Sequence, residues 1–255
     1  MILAGACLAL VLGHFGAAQA SELQVVTSGG FAAALTALAP LFEEKTGDHL
    51  VILRGPSMGK TPDAVPARLE RGEKLDVLIM VGYALGKLIS EGKVVADSRV
   101  DLVRSGIGVV VRAGAPHPDI GSVAALRTAL LAAKSIAWSD SASGVYIETE
   151  MLKTMGIADQ VTGKGRMIPA EPVGAVVARG EAEIGFQQIS ELKPIKGIDL
   201  LGPLPPEVQK YTVFSAGIVA GSAHAPEAAR LIGFLASQAA WPADIDSGLE
   251  PIKRP

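Results

Sequence analysis

The chain has 255 residues, 49% of them hydrophobic and 19% charged, with a formal net charge of −3. That is enough chain for one large domain or two lobes, and the near-balanced charge excludes the basic footprint of a nucleic-acid or anionic-membrane binder. Aromatic residues make up only 4%, which argues against a base-stacking platform or a Trp-lined carbohydrate cleft.

In chain order, Met1 to Ala20 is almost uncharged and ends Ala18-Gln19-Ala20 before Ser21. That is the cleavage pattern of a secretory signal peptide, although the usual positive start is missing. Residues 1–20 are therefore expected to be a signal peptide and the mature chain to be periplasmic. Cys7, the sole cysteine, lies in this segment, and lipid anchoring through it is the alternative. A mature chain from Ser21 has no disulfide, no thiolate metal site and no cysteine nucleophile.

Leu23–Thr27 reads as a short apolar strand, and Phe31–Lys45 as a helix with Leu35, Leu38, Leu41 and Phe42 on one face, stopped by Gly47. His49–Leu53 is the next strand. Thr61-Pro62-Asp63 has the chemistry of a helix start, and that helix runs to Arg71. Asp76–Met80 is a third strand and Tyr83–Ser90 a third helix. Ile107–Val111 opens a second cycle: helix Val123–Ala133, strand Ser135–Trp138, helix Gly144–Met155, helix Val173–Ala178, then strands Ile184–Gln187 and Ile198–Leu201. Val213–Val219 is a further apolar strand and Pro226–Gln238 an amphipathic helix. Alternating strands and helices imply an α/β fold with parallel pairing and helices on both faces of each sheet. The leftover strand and helix belong with the first unit. The expected organisation is lobe I from residues 21–104 and 213–255, lobe II from 105–212, and two crossings between them.

Arg54 to Asp63 reads R-G-P-S-M-G-K-T-P-D. Gly55-Pro56-Ser57-Met58-Gly59 satisfies G-x-S-x-G, the elbow of a serine nucleophile, and with Lys60-Thr61 it falls one residue short of a phosphate-binding P-loop. Both patterns need a helix to start almost at once, and here the helix signal is late. No Asp ends a strand to hold magnesium, and only His224, preceded by Asp199, keeps the Ser, Asp, His order of a hydrolase. A hydrolase using Ser57 stays as the alternative reading.

Three loops that follow strands and precede helices are rich in Gly and Ser: Thr27 to Gly30, Gly55 to Thr61, and Ser139 to Gly144. Open α/β sheets bind ligands at the carboxyl ends of their strands, and exposed amides with short hydroxyls bind anions without a counter-charge. Two such loops in one lobe and one in the other point to a site in the cleft between them. Arg104 and Lys60 are further groups able to pair a carboxylate, and Gln187 and Gln188 offer both donors and acceptors. Glu191 reads as a residue that orients its neighbours or caps a turn.

The stretches LQVVTSGGF, RLERGEKLDVLIM, SASGVYIETEMLKTMG and VVARGEAEIGFQQISEL, in that order, resemble the type II periplasmic solute-binding proteins of ABC importers, most of all the molybdate-binding branch. The resemblance implies a two-lobed fold, each lobe a mainly parallel sheet, closing on a ligand that is handed to a membrane permease. It places Ser28, Gly29, Gly30, Ser57, Met58, Lys60, Arg104, Ser141, Ser143, Gly144, Tyr146, Gln187 and Gln188 at the ligand. The branch's first oxyanion-binding hydroxyl falls near Gly30, and Gln188 stands where the branch has a tyrosine. The ligand is therefore a molybdate-like oxyanion or a small organic carboxylate. The expected protein is a monomeric binder without enzymatic activity, cofactor or metal. Its partners are a small anion and an ABC permease. A sensory module for a membrane receptor is the remaining alternative.

Overall fold

The computed structural model describes residues 20–169 and 171–253. The signal-peptide and Cys7 readings lie, apart from Ala20, outside the described residues. The first unit runs β1 (Glu22–Thr27), α1 (Gly29–Thr46), β2 (His49–Arg54), α2 (Val65–Glu70), β3 (Val77–Val81), α3 (Gly82–Ser90) and β4 (Val100–Ser105). The chain passes through Gly106 into the second unit. There β5 (Ile107–Arg112), α4 (Val123–Ala132), β6 (Ile136–Ser139) and α5 (Ala142–Tyr146) follow; a π-helical turn at Ile147–Met151 continues α5 into α6 (Leu152–Thr154). Next come α7 (Ala158–Thr162), β7 (Gly165–Ile168), α8 (Val173–Ala178), β8 (Ile184–Gln188), α9 (Ile189–Leu192) and β9 (Ile198–Pro203). The chain then returns through β10 (Thr212–Ile218), α10 (Ala225–Leu235), α11 (Trp241–Asp246) and β11 (Glu250–Pro251).

Two sheets result, ordered β11-β4-β10-β3-β1-β2 and β7-β6-β8-β5-β9. Each has its own apolar packing, around Phe31, Leu38, Phe42 and Leu231 in the first lobe and around Leu126, Ile147 and Phe186 in the second. A smaller cluster, with Val173, Val176 and Val177 of α8, covers the other face of the second sheet. The two-lobed α/β architecture is as the sequence implies, but the sheets are mixed. Parallel pairing is confined to β2-β1-β3 and β7-β6-β8. Strand β10 is antiparallel to both β3 and β4, and β5 is antiparallel to β8 and β9. The reason is the crossings: β4 enters β5 through a single glycine, and β10 comes back from the other lobe, so neither connection is the helical crossover that enforces parallel strands.

Three local readings change. Leu41 is 51% exposed, because 100° per residue carries it off the stripe shared by Phe31, Leu35, Leu38 and Phe42. Helix α2 starts at Val65 with Pro66 in its first turn, not at Pro62. The Ala64 amide closes a turn on the Thr61 carbonyl at 3.0 Å, and Arg68 Nε binds the Asp63 carbonyl at 2.9 Å. Strand β4 is hidden in the sequence by Asp101 and Arg104; in the fold Asp101 accepts a 2.6 Å hydrogen bond from Ser215 Oγ and pairs with Arg99 at 2.9 Å.

Candidate functional site

Ser28 follows β1 and occupies the N-cap position of α1, where its side chain makes no capping hydrogen bond. It is buried, and its Oγ has no hydrogen-bond partner among the described residues. The first amides of α1, an 18-residue helix, thus start beside an uncommitted hydroxyl. Gly29 is exposed on the seam between the lobes. Gly30 is glycine for a reason internal to the first lobe: a Cβ there would strike the ring of Phe214 on β10. In the second loop, Ser57 is buried and its Oγ accepts the Val81 amide at 3.0 Å, tying the loop to the end of β3. Met58 packs half-buried against the first core, and Lys60 is exposed.

Across the seam, Ser139 Oγ lies 2.8 Å from Ser141 Oγ and 3.0 Å from Ser143 Oγ, a triangle of hydroxyls at the start of α5. Gly144 must lack a side chain, since a Cβ would run into the Ser139 carbonyl. Tyr146 spends its hydroxyl on the Val208 carbonyl at 2.9 Å, while Lys210 Nζ sits 4.7 Å from its ring centroid. Arg104 is also occupied: it pairs with Glu250 at 2.8 Å and lies 4.4 Å over the ring of Tyr211. The fold therefore places Ser143 and the ring of Tyr146 on the wall of a cavity between the lobes and Gly29 against Glu191 of the other lobe, while Ser57 and Gln187 accept the Val81 and Val173 amides. Arg104 and the Tyr146 hydroxyl are directed to other partners.

Gln187 and Gln188 close β8, both buried. Gln187 Oε1 accepts the Val173 amide at 2.9 Å. Gln188 Nε2 donates to Thr212 Oγ1 at 2.7 Å, and its buried Oε1 has no partner among the described residues. Thr212 belongs to the wall of a cavity of about 480 Å³ between the lobes, formed with Val81 and Gly82 from one side and Ser143 and Tyr146 from the other. That is within the size range of small-molecule sites. A larger hollow of about 1160 Å³ lies at the opposite ends of β1 and β3, lined by Ser21, Asp76 and His224, away from the carboxyl ends where such sheets take ligands.

Glu191 lies on the other flank of the same seam. It stands on α9 in the second lobe, yet a Cβ on Gly29 of the first lobe would collide with its Oε1. The residue is half-buried. Burial pushes the carboxyl up to about 7; the hydrogen bond with Gln187 opposes the rise and the charge of Asp140 adds to it. The sequence reading treated Glu191 as an orienting residue, held Ser139 only as part of the third loop, and passed over Lys210 and Thr212. A carboxylate three positions beyond a strand-ending Gln pair, and the S-x-S-x-S spacing at Ser139, were the available signals.

The described histidines are all placed away from Ser57. His49 pairs with Glu43 at 2.9 Å, His117 with Asp199 at 3.0 Å, and His224 lines the hollow at the far ends of the strands. Ser57 therefore has its hydrogen bond to Val81 and no base from these three.

Residues 23–250 match the family of bacterial extracellular solute-binding proteins. The chain belongs to that family. Among solved structures, the periplasmic molybdate-binding protein of Azotobacter vinelandii superposes with a TM-score of 0.72 at 23% identity, over 92% of this chain and all of that one. The L-phospholactate-bound PEB3 protein, known from Campylobacter jejuni, gives 0.70 at 16% identity over 89% and 99%. A curated relative from a Pseudomonas species, aconitate isomerase, is 51% identical over 233 residues, which are 91% of this chain and 88% of that one. This finding overturns the expectation of a protein without enzymatic activity: at such identity over nearly the whole chain, a relative is an enzyme.

Proposed function

We propose that this solute-binding protein is an extracytoplasmic aconitate isomerase. It encloses aconitate, an unsaturated tricarboxylate, between its lobes and interconverts the cis and trans forms. The observation that supports this reading is a group of hydrogen-bonding side chains near a carboxyl that meets both lobes. Ser28, the Ser139–Ser141–Ser143 triangle and Gln188 offer hydroxyls and an amide, and Glu191 sits at the edge of the same seam. Hydroxyls and amides can hold carboxylates as readily as they hold oxyanions. The 51% identical isomerase supports the specific substrate. The A-x-A pattern before Ser21 supports export to the periplasm.

Isomerisation needs no cofactor in principle. Aconitate has a methylene next to its double bond. Moving one proton from the methylene to the vinyl carbon shifts the double bond by one position and regenerates aconitate. The geometry of the new double bond is set by how the site holds the methylene arm while the proton is away. A closed interlobe cleft that grips several carboxylates can impose that conformation.

A second reading, capture of a small anion for an ABC permease, is favoured by the family itself. One pair of measurements separates the two. The purified chain from Ser21 is incubated with trans-aconitate, the cis form is followed by proton NMR, and thermal shifts are recorded with aconitate, molybdate, tungstate and sulfate. Turnover together with stabilisation by aconitate is expected. Stabilisation by aconitate without turnover leaves the binder reading, and a response to the inorganic oxyanions alone removes the tricarboxylate.

A further inference from the structure

We infer that the Glu191 carboxylate is the catalytic base that carries the proton in this isomerisation, with Gln187 as its positioning residue; the inference rests on the isomerase reading above. Three observations converge. Glu191 crosses the seam: it belongs to α9 of the second lobe and touches the start of α1 in the first, so lobe closure brings it to whatever the cleft holds. It is half-buried, and among the described residues its carboxyl enters no ion pair. Gln187 stands beside it with its Oε1 pinned by the Val173 amide, which leaves the NH2 of its amide as the donor able to face the carboxylate.

The other candidates for a proton carrier are less suited. Tyr146 donates its hydroxyl to Val208, and burial raises it above the ordinary phenol. Ser28, Ser57 and the serine triangle have hydroxyls far too weakly acidic to cycle at neutral pH without a base. The described histidines are elsewhere, and Lys60 is exposed. A carboxyl lifted to about 7 is half ionised near neutrality, which suits a group that must both take and return a proton. The charges and dipoles facing it are Asp140 from the β6–α5 loop, which raises it, Gln187, which lowers it, and the positive end of α1 at Gly29.

The step balances without any co-reactant. Ionised Glu191 takes a proton from the substrate methylene; that C–H bond breaks, and the electron pair spreads over the three-carbon unit and its carboxylates. Protonated Glu191 then returns the proton to the far carbon of that unit. A C–H bond forms there, the double bond now joins the other pair of carbons, and Glu191 is ionised again. Hydroxyls and amides of the cradle stabilise the charge that collects on the carboxylate oxygens.

The test uses the chain from Ser21 with wild type, Glu191→Gln, Glu191→Asp and Gln187→Leu. Wild type should interconvert the isomers with a rate that falls as pH drops through about 7. Glu191→Gln should lose roughly 10²–10⁴-fold in kcat while aconitate still raises its Tm, and Glu191→Asp should recover part of the loss. In Gln187→Leu the acid limb should move to higher pH, because a hydrogen bond to the charged form has been removed. An active wild type with Glu191→Gln within threefold of it overturns the base assignment alone. A Glu191→Gln protein that no longer responds to aconitate shows a holding residue and also overturns it. An unmoved acid limb in Gln187→Leu removes the positioning role. An inactive wild type overturns the isomerase reading together with this one.

Discussion

Ser57 and Glu191 are the two instructive places in this molecule. Ser57 sits in a sequence written like a nucleophile's, yet its Oγ accepts the Val81 amide and its function in the fold is to fasten a loop to β3. Glu191 reads in the sequence as no more than an orienting or capping residue, yet it meets Gly29 of the other lobe and its surroundings shift its carboxyl towards neutrality. Reactivity is thus a property of surroundings. A hydroxyl with no base beside it is structural, and a carboxyl deprived of water becomes chemical.

The sharpest way to break this contrast, beyond replacing Glu191 itself, is steric. Gly29→Ala puts a methyl group where Glu191 Oε1 lies, and the carboxyl is the free end of a flexible chain that can swing aside. The fold should keep its Tm within a degree or two, while kcat falls on the order of 100-fold, the effect of an ångström-scale misplacement. Unchanged turnover would show that the seam contact is incidental.

Next in size is a pH effect on stability. Burial lifts Glu191 and Asp244 to about 7, from ordinary values of 4.5 and 3.8. Both folded-state values are raised, so the folded protein holds these protons more tightly than the unfolded chain does. Their contribution is full below about pH 4, is lost as pH rises to about 7, and is constant above. The combined loss should be on the order of a few kcal/mol. Asp244, with one carboxylate oxygen buried and unpartnered, should contribute independently of ligand. Denaturant titrations at pH 4.5 and 7.5 should show this decline shrinking in Glu191→Gln and in Asp244→Asn; equal slopes in all three proteins would contradict the burial argument.

Ser57→Ala should have a smaller effect, about 1–2 kcal/mol of stability from the orphaned Val81 amide. Its turnover should stay within a few-fold of wild type, whereas abolished turnover would restore Ser57 as the reactive group. Smallest of all is Arg104→Ala. The pair with Glu250 and the stacking on Tyr211 are exposed, so the expected change is below about 1 kcal/mol, with unaltered aconitate response. A lost response would bring Arg104 back to the ligand.

Much of the fold was legible because its strands are short, apolar and separated by periodic helices. Leu23–Thr27, His49–Leu53 and Ile184–Gln187 lie within one residue of β1, β2 and β8. A strand that escaped is β4, whose Asp101 and Arg104 meet Ser215 and Glu250 across the sheet. The site was legible as three Gly- and Ser-rich loops, since turn chemistry is local. The roles inside those loops were not. Gly30 is explained by the ring of Phe214, 184 positions later in the chain, and Arg104 by Glu250. Such partners carry no local signature.

By itself the amino-acid sequence determined the two α/β units, their loops at the carboxyl ends of strands, and the membership of the solute-binding family that follows from them. These rest on periodicity and turn residues, which act over a few positions. Tertiary structure alone decided the antiparallel β10 and β5, the structural duty of Ser57, and the placing of Glu191 against Gly29. Those outcomes depend on which distant surfaces exclude water from one another, and the ionisation of Glu191 depends on the same exclusion.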